Sequence, residues 1–178
     1  MKKTKLLSVS LLCVLAALLP VRALARGQAE SRKMFNETEV SFATEDRWTI
    51  YGTLSVPAAI KPGEKVPGVV LVHSPLHDRD IYLGRHLVGR DTQAKETLRS
   101  ALGNTATLRI DIRGRGKSAS PREYSSFNEE QRARVALDVA AAIDFLSRQE
   151  QIDPRRMGVV AEGGSAEAAV VAASRDSR

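Results

Sequence analysis

The sequence predicts an α/β protein with a mostly parallel sheet and an antiparallel hairpin at its amino-terminal side. Two consecutive β-rich segments predict the hairpin, and three apolar segments alternate with helical stretches after it. Strands that alternate with helices pair in parallel, because each helix returns the chain to the edge where the strand began. The 178 residues are 43% hydrophobic and 27% charged, which is typical of one globular domain and excludes disordered and fibrous classes.

Residues 1–25 have the three parts of a secretory signal peptide. Lysines cluster in the first five residues, residues 6–19 are a short apolar run, and Ala23 and Ala25 form an A-x-A cleavage site. The alternative is a membrane anchor, but Pro20 interrupts the run before it reaches the roughly 20 residues of a membrane-spanning helix. We therefore expect cleavage after Ala25, no stable membrane span, and a secreted or periplasmic protein.

Most of the formal net charge of +6 belongs to this leader. It holds four basic residues and no acidic residue, which leaves +2 for the remainder of the chain. A nucleic-acid partner is not expected at that charge. The one cysteine, Cys13, also lies in the leader, so residues 26–178 can form no disulfide.

The mature chain divides into a polar segment, residues 26–36, and one domain, residues 37–178. Alternating β-rich residues predict strands at 39–44 and 48–57, joined by a turn at Glu45-Asp46. Apolar runs between turn residues predict buried strands at 67–73, 106–111 and 157–161. Helices are predicted at residues 92–102, 128–148 and 165–174.

The helix at residues 128–148 is the longest. Ser126 and Glu129 have the spacing of a capping box at its start. Its apolar stripe is formed by Val135, Val139, Ala142, Ile143 and Leu146. A turn at residues 152–156 then leads into the last strand. That strand is apolar and no later strand follows it in the sequence, so we expect self-association through an open sheet edge.

A glycine motif at residues 111–118, DIRGRGKS, permits a nucleotide-binding interpretation. It matches the phosphate-binding pattern G-x-x-x-x-G-K-S except that Asp111 replaces the first glycine. It also fits the dinucleotide pattern G-x-G-x-x-A from Gly114 onward. Both patterns need a helix directly after the loop, and a loop-like stretch follows here instead. Nucleotide binding is therefore the least favoured alternative, and no cofactor is expected.

The order of the motifs resembles the α/β-hydrolase superfamily. The strand that ends at His73 is similar to the one before that family's oxyanion loop, and the sequence HDRD at residues 77–80 is similar to a motif of its exported esterase, serine aminopeptidase-like and dienelactone hydrolase-like members. The closest match is LRIDIRGRGKS at residues 108–118. The resemblance covers residues 40–174 and implies the amino-terminal part of that fold. It also implies that the active-site loops are shaped by His73, Asp111, Arg113 and Gly116.

The resemblance implies a serine nucleophile on a sharp turn, G-x-S-x-G, and this chain departs from that pattern. An alignment carried forward from Gly158 places Gly163 at the nucleophile position. A shift of two residues makes Ser165 the nucleophile, but it puts Glu167 where close packing favours glycine. We prefer Gly163 at the nucleophile position and keep Ser165 as the alternative.

The oxyanion donors and the positions of the histidines also differ from the pattern of the family. The two oxyanion donors fall on the N–H groups of Gly164 and Ser74, and the adjacent Pro75 has no N–H. All three histidines precede the elbow, whereas the family places its acid and histidine after it. We expect His73 to be a buried, hydrogen-bonded loop residue and His77 and His86 to be solvated. Their spacing with nearby aspartates matches no known metal site, so no metal is expected.

By resemblance, the chain is a serine hydrolase of small esters or amides. The departures at the nucleophile and oxyanion positions predict that the chain as given is inactive, or is the amino-terminal portion of a longer hydrolase and truncated after the elbow helix. The alternative function is non-catalytic binding or assembly on the same scaffold, because a fold by itself does not determine chemistry.

Export is predicted to cleave the chain between Ala25 and Arg26, because small residues at positions 23 and 25 fit the signal-peptidase pocket. Amino-terminal sequencing of the exported protein checks this and should read Arg26 first. A protein that retains Cys13 with an attached lipid would contradict the expectation of a soluble exported form.

Overall fold

Five strands form one mixed sheet in the computed structural model, which describes residues 35–83 and 103–176. The strands are β1 (Phe35–Ala43), β2 (Thr49–Pro57), β3 (Val66–Val72), β4 (Ala106–Ile110) and β5 (Ile152–Ala161). Their order across the sheet is β1-β2-β4-β3-β5. The β1–β2 and β2–β4 pairs are antiparallel, and β3 is parallel to both β4 and β5. The predicted hairpin and the parallel core of the sheet are therefore confirmed.

Several predictions lie outside the described residues. These are the signal peptide, Cys13, His86, the helix at residues 92–102 and most of the polar segment. Strand β1 begins at Phe35, earlier than the strand predicted at residues 39–44. Its first residues pair with the end of β2, where Phe35 faces Pro57.

Three α-helices follow the strands β4 and β5 along the chain. They are α1 (Glu129–Ala133), α2 (Val135–Ser147) and α3 (Ala166–Ser174). Helices α2 and α3 pack against each other, α2 also contacts β3, and α3 contacts β5. No helix in residues 35–83 and 103–176 is long and apolar enough to cross a membrane.

The prediction of one long helix at residues 128–148 is wrong about the continuity of the helix and about its capping box. Arg134 interrupts it with a ψ of −7°, so that the N–H of Leu137 donates to the carbonyl three residues back and the α-helical pattern is broken. The capping box is formed by Asn128 and Gln131 rather than by Ser126 and Glu129. The asparagine carboxamide accepts from the backbone of Gln131, and the glutamine side chain accepts from the backbone of Asn128.

The turn predicted at residues 152–156 is also wrong, because these residues belong to β5. Ile152 pairs with Val66 and Met157 pairs with Gly68, so four residues of β5 stand opposite Pro67 of β3. A proline cannot donate to a strand ladder, and β5 bulges where the donor is missing.

The hydrophobic core lies between the sheet and α2. The predicted stripe is confirmed, since its five residues are all 5% exposed or less. They pack against buried side chains of β2, β3 and β4, including Ile50, Val70, Leu108 and Ile110. Gly68 permits this close approach, because a Cβ there would lie 3.0 Å from the side chains of both Leu146 and Ile152.

A buried arginine connects three parts of the fold. Arg113 is 2% exposed and follows β4. Its backbone N–H and its Nε both donate to the Asp138 carboxylate of α2 at 2.8 Å, and its two terminal nitrogens donate to Asp46 in the β1–β2 turn at 2.7 and 3.0 Å. The guanidinium also lies over the Trp48 ring, 5.4 Å from its centre.

The two carboxylates respond to this arginine differently. Burial raises the pKa of Asp138 to about 6, although the hydrogen bonds from Arg113 oppose that rise. The hydrogen bonds from Arg113 lower the pKa of the more accessible Asp46 to about 2. At neutral pH both carboxylates are ionised and share one buried cation.

Replacement of this arginine by an uncharged residue, Arg113→Gln, is predicted to lower the free energy of unfolding by about 3–5 kcal/mol, because it leaves Asp138 buried without its cation. Chemical denaturation with a circular-dichroism readout measures the change. The matched control is Arg148→Gln, which removes an exposed pair with Asp144 at helical spacing and should change stability by less than about 0.5 kcal/mol. Equal effects for the two variants would contradict the prediction.

Candidate active site

The candidate residues lie where the three parallel strands end. Strand β3 runs into His73 and Ser74, β4 into Asp111, and β5 into Glu162 and Gly163. The carboxyl ends of parallel strands meet at one edge of a sheet, and in open α/β sheets that edge is where ligands bind. The sequence-predicted site residues therefore come together in space.

Gly163 forms the sharp turn between β5 and α3. Its φ is +52°, and it opens a one-turn 3-10 helix, Gly163–Ser165, that continues into α3. A Cβ on this glycine would lie 3.6 Å from both Cβ and Oγ of Ser74, which is ordinary contact. A strand, a strained turn and a helix in this order have the geometry of a nucleophile elbow. The position has room for a side chain but carries a glycine.

Ser165, the alternative nucleophile, points into the protein. It is 1% exposed, and its hydroxyl donates to the carbonyl oxygen of His73 at 2.8 Å. Its backbone is in the right-handed helical region rather than the strained conformation of an elbow. The hydroxyl thus ties the start of α3 to the end of β3 and is not presented to a ligand.

The N–H of Ser74, the predicted oxyanion donor, faces a carboxylate. Oε2 of Glu162 lies 3.4 Å from this nitrogen and also 3.4 Å from Nδ1 of His77. The Glu162 and His77 side chains are 43% and 37% exposed, so this pair lies at the mouth of the site. Gly164, the other predicted donor, lies against the Pro75 ring, with its Cβ position 3.5 Å from Cδ of the proline. A negative charge beside the Ser74 N–H opposes the binding of an oxyanion there.

His73 is fully buried, and its ring nitrogens are both used. Its Nδ1 lies 2.7 Å from the carbonyl oxygen of Ser74, which requires Nδ1 to carry the proton, and its Nε2 accepts from the N–H of Ile112 at 3.3 Å. Burial lowers the pKa of His73, so the ring is neutral. The prediction of a buried, hydrogen-bonded loop histidine is confirmed. His77 is less solvated than predicted because of its contact with Glu162.

Asp111 organises the loops on either side of it. The carboxylate is 2% exposed and accepts from the backbone N–H groups of Arg79 at 2.9 Å and Lys117 at 3.0 Å. Gly116 makes this possible, since its φ is +48° and a Cβ there would lie 2.4 Å from the Asp111 Cγ. Any larger residue at position 116 would displace the carboxylate.

The same loop does not form a phosphate cradle. Its N–H groups are directed at acceptors within the loop: Gly114 donates to Ser118, Ser118 donates to Arg115, and Lys117 donates to Asp111. The element that follows is a four-residue 3-10 helix, Gly116–Ala119, and not an α-helix. Phosphate binding needs free N–H groups at a helix start, so the nucleotide alternative has no support in this geometry.

A cleft of about 540 Å³ opens beside the elbow. Pro75, Gly164 and Ser165 are among the residues that line it. Its walls come from Tyr124, Leu137, Ala168 and Val171, and charged residues of both signs stand around it, namely Glu129, Glu130, Arg132, Arg134, Glu167 and Arg175. The cleft has the size of a small-ligand site. Among residues 35–83 and 103–176, no three His, Cys, Asp or Glu side chains are grouped to hold a metal ion.

Comparisons with known proteins show the fold. No protein-family model matches the sequence, and no curated protein matches it. Many solved structures are similar to the chain, among them the following three. An acetyl xylan esterase from a Paenibacillus species has a TM-score of 0.59 and 23% identity, over 82% of this chain and 47% of that one. The Pyrococcus furiosus esterase Pf2001 has a TM-score of 0.55 and 20% identity, over 80% and 46%.

The third is the α/β hydrolase GrgF from a Penicillium species, with a TM-score of 0.56 and 18% identity, over 79% of this chain and 42% of that one. The described residues therefore have the α/β-hydrolase fold. The chain spans less than half the length of each of these three structures.

Removal of the buried hydroxyl, Ser165→Ala, is predicted to lower the free energy of unfolding by about 1–2 kcal/mol, because the His73 carbonyl loses its buried donor. The matched control is Ser174→Ala, which removes an exposed hydroxyl that donates to Val171 in the same helix. That change should alter stability by less than about 0.5 kcal/mol. Thermal unfolding of both variants measures the difference, and an unchanged Ser165→Ala protein would contradict a structural role for the hydroxyl.

Proposed function

We propose that this chain is an exported protein that binds a small, neutral ester or amide at the carboxyl end of the sheet and does not form a serine acyl-enzyme. The observation that carries the proposal is the glycine at the elbow, where Gly163 has a left-handed φ of +52°. An acyl-enzyme needs a hydroxyl or thiol at that turn, and glycine has no side chain.

The groups around the turn support the absence of acylation. The nearest alternative hydroxyl, that of Ser165, is 1% exposed and donates to a backbone carbonyl. His73 is buried with both ring nitrogens in contact with the backbone, so it is not available as a general base. A general base has to reach the proton that it removes, and this geometry does not provide one for Ser165.

The chemical class of the ligand follows from the charges at the site. Glu162 places a carboxylate beside the Ser74 N–H, and this charge repels a carboxylate ligand. A neutral acyl group can accept a hydrogen bond from a backbone N–H such as that of Gly164 and lie between the apolar walls of the cleft. The acetyl xylan esterase that the chain is similar to in fold acts, by its name, on acetyl esters, and this supports a small acyl group.

The competing function is serine hydrolysis of such an ester or amide. Its support is that the similar solved structures are named esterases and hydrolases. It requires a nucleophile and a base at the elbow, and in the described residues the elbow position carries Gly163. Chemical labelling separates the two functions.

The purified protein is predicted to show no covalent labelling by a fluorophosphonate probe and no hydrolysis of 4-nitrophenyl acetate above background, because Gly163 offers no nucleophile. It is predicted to bind acetanilide, a neutral amide, with a shift of the Gly164 amide signal in nuclear magnetic resonance spectra. Labelling that maps to Ser165 and disappears in Ser165→Ala would overturn the proposal.

Two tryptophan variants serve as a matched pair for the binding measurement. Ala133→Trp fills the cleft from an exposed position, whereas Ala58→Trp adds the same side chain in the exposed turn after β2. Ala133→Trp should abolish the Gly164 shift and Ala58→Trp should leave it unchanged. Equal shifts in both variants would contradict binding in this cleft.

A further inference from the structure

A pocket of about 440 Å³ lies beside the turn that joins β1 to β2. Its lining residues fall within two segments, residues 46–51 and residues 117–121. It shares none of them with the cleft beside Gly163. Strands β1 and β2 stand first in the order across the sheet, at the side away from β5. The pocket is therefore a separate cavity, on the amino-terminal side of the domain.

Two aromatic residues of the lining are held by one buried serine. The backbone N–H of Tyr51 donates to the Ser118 hydroxyl at 2.9 Å, and the indole N–H of Trp48 donates to the Ser118 carbonyl oxygen at 3.0 Å. The Trp48 ring also meets the Phe127 ring edge-on, with 5.6 Å between their centres. Walls that are ordered before a ligand arrives lose little conformational freedom on binding.

The charges of the lining leave one cation without a charged partner. Both oxygens of Asp46 accept from Arg113, at 2.7 and 3.0 Å. Lys117 donates to both oxygens of Glu39, at 2.5 and 2.7 Å. In the part of the chain that the structure describes, the Arg47 side chain makes no hydrogen bond or ion pair. Its guanidinium is therefore the uncompensated charge of the pocket, and it favours an anionic ligand.

The backbone of Arg47 points to its side chain independently of the charges. Its φ is +65°, which is the one positive φ outside the glycines among the described residues. Glycine adopts this conformation freely, whereas a residue with a Cβ is strained there. The turn alone would thus favour glycine at position 47. The arginine strains the turn and supplies a charge to the pocket.

Three hydroxyl groups of the lining are further donors. They belong to Thr49, Tyr51 and Ser120. Within the described residues, none of these hydroxyls has a hydrogen-bond partner. Hydroxyl groups can donate to the lone pairs of a carboxylate that a guanidinium leaves open. The pocket therefore combines one free cation, neutral donors and aromatic walls.

We propose that this pocket is a binding site for a small aromatic carboxylate. The carboxylate lies on the Arg47 guanidinium, which can donate to both of its oxygens. The ring lies against the Trp48 and Tyr51 side chains, which present flat apolar surfaces. This preference is opposite to that of the cleft beside Gly163, where the charge of Glu162 repels a carboxylate.

The chain has one tryptophan, Trp48, so tryptophan fluorescence of the purified protein reports on this pocket. Titration with benzoate should give a saturable change. Benzamide has the ring without the charge and acetate has the charge without the ring, so each should bind at least about tenfold more weakly. No saturable change with benzoate would overturn the proposal. Benzamide, acetate or inorganic phosphate that binds as tightly as benzoate would overturn it too.

A pair of matched arginine variants tests the contact with the carboxylate. Arg47→Gln should weaken benzoate binding about tenfold or more, because it removes the guanidinium. The control is Arg122→Gln, which removes an exposed arginine that lies next to Pro121 in the sequence but does not line the pocket. That variant should change the affinity by less than about twofold. Equal losses in the two variants would contradict a specific contact with Arg47.

The variant Arg47→Gly separates a role in binding from a role in the turn. Glycine tolerates the φ of +65°, so the unfolding temperature should be unchanged or higher. Benzoate binding should be weakened as in Arg47→Gln. A lower unfolding temperature would show that the arginine serves the turn, and unchanged binding would show that it does not hold the carboxylate. Either result would overturn the proposal.

Discussion

The structure depends on the burial of one positive charge. Arg113 lies inside the protein, and removal of a charge from water costs several kcal/mol unless nearby groups compensate for it. Here Asp138 of α2 provides the compensation together with Asp46 and the Trp48 ring, which both lie in the segment between β1 and β2. The loop after β4 is thereby held against α2 and the β1–β2 turn. Asp111 lies two residues before the arginine in the same loop. Its carboxylate accepts hydrogen bonds from the backbone N–H groups of Arg79 and Lys117 and so holds those two segments together.

The turn at Gly163 shows how the choice of residue changes the cost of a backbone conformation. A residue with a side chain at φ +52° stores about 1–3 kcal/mol of strain, and glycine avoids most of that strain. Gly163 therefore makes the turn easier to form, and it places no side chain at that position. The Ser165 hydroxyl donates to the His73 carbonyl, and the His73 ring accepts from the N–H of Ile112, so these contacts hold the ends of β3, β4 and β5 together.

The sequence predicted the parts of this structure that depend on local periodicity, such as the strands, the apolar stripe of α2 and the position of the elbow helix. The sequence analysis did not predict the buried ion pair of Asp138 with Arg113. An acidic residue three positions after Val135, within the apolar stripe of α2, was a visible signal of such a pair. The break at Arg134 depends on its own backbone conformation, and its side chain contacts Asp46 from another part of the chain, so spacing alone could not reveal it. The contact of Glu162 with Ser74 and His77 joins residues that are 85 or more positions apart, and only the parallel pairing of β3 with β5 brings them together.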